Sequence, residues 1–413
     1  MGAKRVVVAG GGPAGFMAAG QAAQAGAHVR LLEKMPRPAL KLSLTGKGRC
    51  NITNIAPLTD FITHFGRQGN FLRQAFWQFF TPDLIQFFEG LGLPLVTERG
   101  GRVFPASKKA SDVGMVLTQW INRHKVDLCT STGVEALMIR QGAIKGVITG
   151  NKKIPCHAVV LATGGASYPA TGSTGDGYPM ADAAGHRITP IRPALVPLET
   201  AGDMAKKAAG LNLRNIHVRL MINGKQFNQA FGEMTFTEFG VSGPVILTLS
   251  GGAVDALGKG QQVSLSLDLK PALDPKKLDA RLLRDIASRG KEEVSSFLRG
   301  LMPRPLVPVC LHMTEIPANR RVSVISAQER RRLRTWLKDF QLQVTGHRPL
   351  SEAIITAGGV DTREVNPRTM ESRLVKGLFM AGELLDVHAD TGGYNLQAAF
   401  STGWLAGRCA ATD

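Results

Sequence analysis

The sequence lacks several features that would define its class at once. It has no apolar run of the roughly 18 residues that a membrane-spanning helix needs. Its five cysteines include no CxxC pair, and their odd number and wide spacing do not suit a disulfide framework, a zinc site or an iron–sulfur site. There is no glycine repeat, which excludes a fibrous protein, and 44% apolar residues are too many for a disordered chain. We therefore expect a globular, cytoplasmic protein with reduced thiols and no bound metal.

Glycine and positive charge are instead in excess. The chain of 413 residues contains 47 glycines, and its 50 Lys and Arg against 32 Asp and Glu give a formal net charge of +18. A chain of this length exceeds one small core, so we expect more than one domain.

A nucleotide-binding motif opens the chain. Residues 4–9 form a short β-branched run typical of a buried parallel strand, and Gly10, Gly12 and Gly15 then match GxGxxG. In this motif the first glycine makes a tight turn, the second lets the backbone approach a pyrophosphate, and the third lets helix and strand pack closely. Glu33 ends a second strand, where a carboxylate accepts hydrogen bonds from ribose hydroxyls. The pattern predicts a bound dinucleotide and leaves NAD and FAD both open.

Three later segments favour FAD. A buried strand runs into residues 163–165, another runs into residues 382–383, and the glycines at 392–393 open the last helix. Small residues at a strand end let a cofactor pass close to the backbone, and a Gly-Glu pair suits the ribityl chain or the pyrophosphate. Backbone N–H groups at the start of the last helix can stabilise negative charge on the N1–C2=O edge of reduced flavin.

Five segments carry a resemblance to a known family: GGGPAG at 10–15, KLSLTGKGRCNITN at 41–54, ATGGASYPATGSTGDGY at 162–178, TEFGVSGP at 237–244, and AGELLDVHADTGGYNLQAAFSTGWLAG at 381–407. Over nearly its whole length the chain resembles bacterial NAD(P)/FAD-dependent oxidoreductases, which include aminoacetone-oxidase-like and 3-dehydro-bile-acid-reductase-like proteins. The resemblance implies an α/β fold in which an FAD-binding Rossmann-like domain is interrupted by an inserted β-barrel plus helical domain. The family has no second nucleotide-binding domain, and no second GxGxxG follows here. Its substrates are diverse, so the resemblance fixes the cofactor better than the reaction.

The expected domain organisation follows from these motifs and from changes of pattern. Residues 1–190 form the first part of the FAD-binding domain, and residues 350–413 form its second part. The inserted substrate domain, 191–349, begins at a proline-rich connector. Alternating apolar and polar positions predict a β-barrel over about 191–270, and a basic helical part follows over about 271–349.

We expect the segment 41–54 to lie against the flavin ring. Lys41, Lys47 and Arg49 are basic, and cationic groups near the isoalloxazine would stabilise the anionic reduced flavin. The amide of Asn51 can fix the ring by hydrogen bonds. A solvated or phosphate-binding basic loop is the alternative.

Cys50 lies between Arg49 and Asn51, and a thiol beside a cation has a lowered pKa and can act as a proton donor or nucleophile. A small buried cysteine without chemistry is the interpretation that we prefer, although Cys50 stays among the candidates. The catalytic candidates are Lys47, Cys50 and Asn395. The predicted cofactor-binding residues are Gly10, Gly12, Pro13, Ala14, Gly15, Glu33, Lys34, Lys41, Thr45, Gly46, Lys47, Gly48, Arg49, Cys50, Asn51, Val134, Thr163, Gly164, Gly165, Gly382, Glu383, Gly392, Gly393, Tyr394, Asn395 and Leu396.

Half of the excess positive charge lies in one part of the insertion. Residues 270–348 carry 17 Lys or Arg and 8 Asp or Glu, a net charge of +9. A predicted helix that contains Arg330 and Arg334 beside Trp336 suits a nucleic-acid backbone with occasional base stacking. A solvated basic face is the alternative.

These observations predict an FAD-dependent oxidoreductase. NAD(P)H reduces the flavin by transient binding, and the flavin N5 then delivers hydride to an electron-poor C=C bond. The C5=C6 bond of uracil and the enone of a steroid are both such acceptors, so the substrate is a small molecule or RNA. An amine oxidase that uses dioxygen and a non-catalytic RNA-binding flavoprotein are the other hypotheses.

Overall fold

The computed structural model describes residues 3–412, which form two compact units. The first unit runs up to Pro193 and resumes at Ala353, and the inserted unit is Ala194–Glu352. The strands are β1 (Arg5–Ala9), β2 (His28–Leu32), β3 (Thr53–Asn54), β4 (Leu95–Thr97), β5 (Arg102–Pro105), β6 (Asp127–Cys129), β7 (Ala136–Arg140), β8 (Ala143–Thr149), β9 (Lys152–Pro155), β10 (Ala158–Leu161), β11 (Ile188–Ala194), β12 (Leu198–Thr200), β13 (Asn212–Ile222), β14 (Lys225–Phe236), β15 (Gly240–Ser242), β16 (Val263–Asp268), β17 (Phe340–His347), β18 (Ile355–Val360) and β19 (Leu378–Met380).

The helices follow the same chain order. They are α1 (Pro13–Gln24), α2 (Leu40–Gly48), α3 (Leu58–Thr63), α4 (Gly69–Gln78), α5 (Thr81–Gly90), α6 (Ala110–Arg123), α7 (Gly177–Ala183), α8 (Met204–Lys207), α9 (Pro244–Leu257), α10 (Pro275–Ser288), α11 (Val294–Arg299), α12 (Leu306–Thr314), α13 (Ala327–Lys338) and α14 (Tyr394–Thr412). No helix within residues 3–412 is long and apolar enough to cross a membrane.

A parallel sheet of five strands, in the order β19-β10-β1-β2-β6, is the centre of the first unit. Strand β10 is buried along its whole length, and β1 is buried except at Arg5. Continuous apolar runs of this kind fit parallel strands that are covered on both faces. Because the strands are parallel, the segments that follow β1, β2, β10 and β19 emerge at one edge of the sheet. Small sheets of the orders β3-β5-β4, β7-β8-β9 and β11-β18 complete this unit.

Helices α1 and α14 pack at backbone distance. A Cβ atom at Gly403 would lie 2.3 Å from the carbonyl oxygen of Ala14, and one at Gly407 would lie 2.2 Å from that of Ala18. Both distances are far below van der Waals contact, so only glycine fits at these positions of α14. The two glycines therefore set the separation of the helices.

The inserted unit is built on a closed barrel of six strands, β12-β15-β14-β13-β16-β17. Its interior is filled by alternating apolar residues such as Val218 and Leu220 of β13 and Leu265 and Leu267 of β16, all fully buried. Helices α10 to α13 follow β16 in the chain. The predicted fold class, a Rossmann-like α/β domain interrupted by a β-barrel insertion, is confirmed.

The extent of the barrel differs from the expectation. We expected barrel strands only to about residue 270, yet Phe340–His347, within the part predicted to be helical, is strand β17 and closes the barrel. The cause is a short alternating pattern in which Phe340, Leu342 and Val344 are buried and their neighbours Gln341 and Gln343 are exposed.

The α1–α14 contact yields a stability prediction. Gly403→Ala should lower the free energy of unfolding by about 1–3 kcal/mol, because the new methyl group would overlap the Ala14 carbonyl and force the helices apart. Gly90→Ala, at the end of α5, is the matched control, since no atom lies within 4 Å of the place that its methyl group would take. Urea denaturation of both variants and the parent measures the effect. Equal stability of the two variants would contradict the packing argument.

Candidate functional site

The turn after β1 brings the start of α1 onto the end of the strand. Gly10 has a φ of +103°, and a Cβ atom there would lie 2.5 Å from the carbonyl oxygen of Ala162. A Cβ atom at Gly15 would lie 1.8 Å from the carbonyl oxygen of Gly10. These two positions therefore require glycine for reasons internal to the protein, as the sequence motif predicts.

Gly12 differs from Gly10 and Gly15 because no contact within residues 3–412 requires a glycine at this position. It is the N-cap of α1, with no side-chain cap and no acidic residue in the first turn. A Cβ atom at Gly12 would meet no protein atom within 4 Å. The first N–H groups of a helix carry partial positive charge and attract anions. The open space at Gly12 is thus a cradle that an added methyl group would fill without disturbing the protein.

Glu33 is tied to the same turn. Its Oε2 accepts a hydrogen bond from the Gly11 N–H at 2.7 Å, and its Oε1 accepts one from the Met35 N–H at 2.7 Å. Each carboxylate oxygen can accept a second hydrogen bond. Glu33 is therefore held in place by the backbone and keeps acceptor capacity for hydroxyl groups.

Lys34 follows Glu33 in the chain, and Val134 lies two residues after Thr132, which is a partner of Glu33. The Lys34 ammonium donates to the Asp176 carboxylate at 2.5 Å and to the Thr174 hydroxyl. Although partial burial opposes it, these groups hold the pKa of Asp176 below its usual range, since Thr174 donates to the carboxylate as well. Val134 is buried close in sequence to Thr132, whose N–H donates to the Glu33 carbonyl at 2.8 Å.

A half-buried ion pair joins three of the predicted segments. Lys41 Nζ donates to Glu383 Oε2 at 2.6 Å and to Ser167 Oγ at 2.7 Å. Glu383 Oε1 also accepts from the Thr356 N–H at 2.8 Å. The Lys41 ammonium therefore has partners in the segments after β10 and after β19, and these contacts fix the position of Glu383 at the end of the sheet.

The loop within α2 departs from helical geometry at Thr45, Gly46 and Lys47. Lys47 has a φ of +58° and an exposed side chain. A residue other than glycine rarely adopts this left-handed conformation, which is found preferentially at functional sites. The kink thus presents a cation that no carboxylate within residues 3–412 neutralises.

The segment that follows this loop contacts the start of α14. Thr53 Oγ1 donates to Gln397 Oε1 at 2.6 Å, and Asn54 Nδ2 donates to the Gly392 carbonyl at 3.1 Å. A Cβ atom at Gly393 would lie 2.4 Å from the Thr53 carbonyl oxygen. The two hydrogen bonds join residues 344 and 338 positions apart, so the structure brings together two predicted segments from distant parts of the chain.

Buried polar atoms without partners lie in these same segments. Within residues 3–412, Asn51 Oδ1, Thr163 Oγ1 and the Tyr178 hydroxyl are buried and form no hydrogen bond. Burial, and then the charges of Glu383 and Asp386, raise the pKa of Tyr178, so its hydroxyl is a neutral donor. Buried polar atoms are normally satisfied, so these atoms fit a bound group that supplies their partners.

Cys50 differs from the expectation of an activated thiol. Its side chain is fully buried, and burial raises its pKa to about 12 although a hydrogen bond with Thr45 opposes the shift. Arg49 does not activate it, because its guanidinium contacts the Glu98 carboxylate at 2.9 Å and lies over the Phe104 ring at 4.3 Å. The structure thus favours the preferred interpretation of Cys50 as a packing residue over that of an activated thiol.

Asn395 has a structural use that the sequence did not reveal. Its Oδ1 accepts from the Ala389 N–H at 2.8 Å, and its Nδ2 donates to the Ala389 carbonyl at 2.9 Å. Because both ends of its amide are bound to the backbone, Asn395 positions the loop before α14.

The sequence did not point to His64. Its Nδ1 lies 3.0 Å from Asp390 Oδ2, and its ring stacks on Tyr394 with centroids 3.8 Å apart. Burial, and then the charges of Asp390 and Asp60, raise the pKa of Tyr394. The contact joins residues 326 positions apart, so no local spacing could have revealed it. The part of the chain that the structure describes contains no group of three His, Cys, Asp or Glu side chains suited to a metal.

The basic helix α13 also differs from the expectation. Trp336 is buried and packs on Phe340 with ring centroids 4.9 Å apart, so it offers no exposed ring for a base. Arg330 and Arg334 both contact the Asp279 carboxylate at 3.2 Å. Local ion pairs therefore neutralise part of the positive charge that the sequence placed here.

The sheet order, the glycine turn and the acidic residue after β2 define a dinucleotide-binding protein of the Rossmann class. The HI0933-like protein Rossmann domain matches residues 4–409. The 3-dehydro-bile acid delta(4,6)-reductase of Clostridium scindens is 34% identical, with 98% of this chain and 99% of that protein covered. The chain therefore belongs to the HI0933-like family, and the family resemblance predicted from the motifs is confirmed.

Two further comparisons are more distant. The ribosomal RNA dihydrouridine synthase of Escherichia coli is 28% identical over 96% of both chains. The solved 3-ketosteroid delta1-dehydrogenase of Sterolibacterium denitrificans has a TM-score of 0.53 at 13% identity, with 99% of both chains covered. At this identity the second similarity concerns the fold alone.

The environment of Cys50 yields a labelling prediction. Because its thiol is buried and stays protonated well above neutral pH, Cys50 should remain unmodified when the folded protein meets iodoacetamide at pH 8. Mass spectrometry of tryptic peptides, with protein unfolded in urea as the control, measures the modification. Labelling of Cys50 at similar rates in folded and unfolded protein would contradict its assignment as a packing residue.

Proposed function

We propose that the protein binds FAD and reduces a C=C bond that is conjugated to a carbonyl group, with NAD(P)H as the transient reductant. The observation that carries this proposal is the convergence of the segments after β1, β2, β10 and β19 at one sheet edge, with open space at Gly12. Such an edge is where open α/β sheets bind nucleotides. FAD, when reduced, supplies the hydride, and the protein supplies binding, orientation and electrostatics.

The adenosine and pyrophosphate half of FAD has clear candidates for its contacts. The N–H groups of the first turn of α1, at Gly12 to Gly15, would bind the pyrophosphate. Glu33, held by two backbone N–H groups, would accept from the ribose hydroxyls. Val134 would border the adenine, and Glu383, held by its contact with Lys41, would accept from the ribityl chain.

The isoalloxazine half has candidates in the kinked loop of α2 and the start of α14. Asn51 Oδ1 is a buried acceptor without a partner, which suits a ring N–H. The exposed Lys47 cation and the first N–H groups of α14, at Tyr394 to Leu396, would stabilise negative charge on the reduced ring. These groups would favour hydride transfer from NAD(P)H to the bound flavin, because stabilising the anionic reduced ring would raise the flavin's reduction potential.

The names of the relatives support the type of bond that is reduced. One relative is a reductase of a 3-dehydro-bile acid, and another is a synthase of dihydrouridine. The first name specifies reduction of ring double bonds in a 3-oxo compound, and the second specifies a uracil ring whose C5=C6 bond has been saturated. An enone of a small molecule is the first candidate substrate, because the more similar relative is named for one.

Uracil in RNA is the second candidate substrate. It is favoured by the charge of residues 270–348, where a net charge of +9 would attract a polyanion. An RNA-binding flavoprotein without catalysis and an amine oxidase are the alternatives that experiment must separate from both.

The role of Gly12 can be tested without damage to the fold. Gly12→Ala should weaken FAD binding by about tenfold or more, about 1.4 kcal/mol, because the methyl group would occupy the space of the pyrophosphate. The apoprotein should melt at the parent temperature, since φ is −88° and no protein atom is near. Flavin fluorescence titration measures affinity, and Gly90→Ala is the control. Unchanged affinity in Gly12→Ala would contradict the proposed placement of the cofactor.

The reaction is tested by anaerobic reduction of the purified holoprotein. We expect NADH or NADPH to bleach the flavin absorption band at about 450 nm. An enone or uridine-containing RNA should then restore the band as its C=C bond becomes saturated. Product mass gives the direct readout. Dioxygen uptake driven by an amine would instead indicate an oxidase, and absence of bleaching with every donor would sink the proposal of a reductase.

A further inference from the structure

A groove lies on the outer side of the barrel in the inserted unit. It is lined by Asn215, Phe231, Lys270, Arg281 and the rest of the loop 269–273 that leads from β16 towards α10. Its volume of about 460 Å³ is within the range of about 300–1,000 Å³ that is usual for ligand sites. The groove belongs to no segment assigned to FAD, so it calls for a separate explanation.

Two cations meet in this groove. Burial, and then the positive charge of Arg281, lower the pKa of Lys270, and no carboxylate acts in the opposite direction. The nearest acidic residue in sequence, Asp268, is bound at 2.6 Å by Lys338. Among residues 3–412, the carboxylate that Arg281 contacts is that of Asp285, at a long distance of 3.5 Å. Two like charges in a partly desolvated place repel each other, and a bound anion would relieve that repulsion.

An exposed aromatic ring lies beside these cations. Phe231 is 60% exposed, and it stands on β14 opposite His217 of β13. Asn215, at an irregularity of β13, has a φ of +55° and brings an amide to the same groove. A ring face takes a stacked base, and an amide can both donate to and accept from a base edge.

The positive charge continues along α10. Lys277, Arg281 and Arg284 follow the spacing i, i+4, i+7 and therefore share one face of this helix. Arg284 is exposed, and the contact between Lys277 and Asp274 is long, at 3.5 Å. This face differs from α13, where the arginines bind a shared carboxylate at closer range.

We propose that this groove binds a single-stranded segment of RNA, with a phosphate between Lys270 and Arg281 and a base stacked on Phe231. Double-stranded RNA would not bind in this way, because its bases are stacked on one another and leave no free face for the Phe231 ring. The basic face of α10 then follows the backbone of neighbouring nucleotides. The inference rests on the RNA candidate above for its biological meaning, but binding can be measured without turnover.

Matched phenylalanines test the stacking contact. The full-length holoprotein is titrated into a fluorescent oligouridylate of about 12 nucleotides. Phe231→Ala should weaken binding by about 5- to 150-fold, the range for loss of one stacked base. Phe227→Ala, on the same strand and 63% exposed but outside the groove, should leave affinity unchanged. Equal effects of the two substitutions would overturn the stacking role.

The cations are tested by salt dependence. Lys270→Met and Arg281→Met should each reduce the slope of log affinity against log salt concentration by about 0.7, the value for one phosphate contact of a single strand. Arg331→Met, which removes an exposed cation of α13 outside the groove, should leave the slope unchanged. A reduction of the same size in all three variants would indicate non-specific attraction and overturn the site.

Further controls separate this proposal from the proposed function. Melting temperature and FAD content should match the parent in every variant, since the groove contains none of the residues assigned to FAD. RNA binding without C=C reduction would refute the reductase and keep the groove. Enone reduction by a protein that binds no oligouridylate, or that binds polyglutamate as tightly, would refute the groove and keep the reductase.

Discussion

The contact between helix α1 and the turn that follows strand β1 is the constraint on which the nucleotide-binding unit depends. Only a hydrogen atom at Gly15 leaves room for the Gly10 carbonyl, and this closeness brings the first turn of α1 to the edge of the sheet where the neighbouring strands end. Helix α14 also approaches the α1 backbone closely, with Gly403 against the Ala14 carbonyl. The residue before its first turn, Gly393, lies against the Thr53 carbonyl, so close backbone contacts position both helix starts near the candidate cofactor site.

The sequence could predict those parts of the site in which the residue type itself indicates the local backbone conformation. Gly10 and Gly15 are glycines for steric reasons that act within the motif, and the end of a buried strand can be located from its apolar run. Contacts between distant segments leave no such trace. The stacking of His64 on Tyr394 and the binding of Lys41 to Glu383 depend on how the whole unit folds, and the sequence does not show which partner each residue meets.

The errors in the sequence-based predictions have a common physical origin. Neighbours in the sequence do not determine the electrostatic environment of a side chain in the folded protein. Arg49 precedes Cys50, yet its guanidinium is directed to Glu98, and burial then determines the state of the thiol. In the same way Trp336 stands among arginines but lies in the core of the inserted unit. The sequence gives the net charge of residues 270–348 correctly. It does not show which of the cations form ion pairs, because that depends on acidic residues from other helices.

Strand β19 and helix α14 belong to the first unit although they follow the inserted unit along the chain. During synthesis on the ribosome, β10 has no neighbour on one side and α1 keeps an uncovered apolar face until residues beyond 353 have emerged. The inserted unit has no such requirement, because all its strands lie between residues 194 and 352. The barrel can thus fold while translation continues, and the exposed half-built sheet is the species that chaperones and proteases would meet.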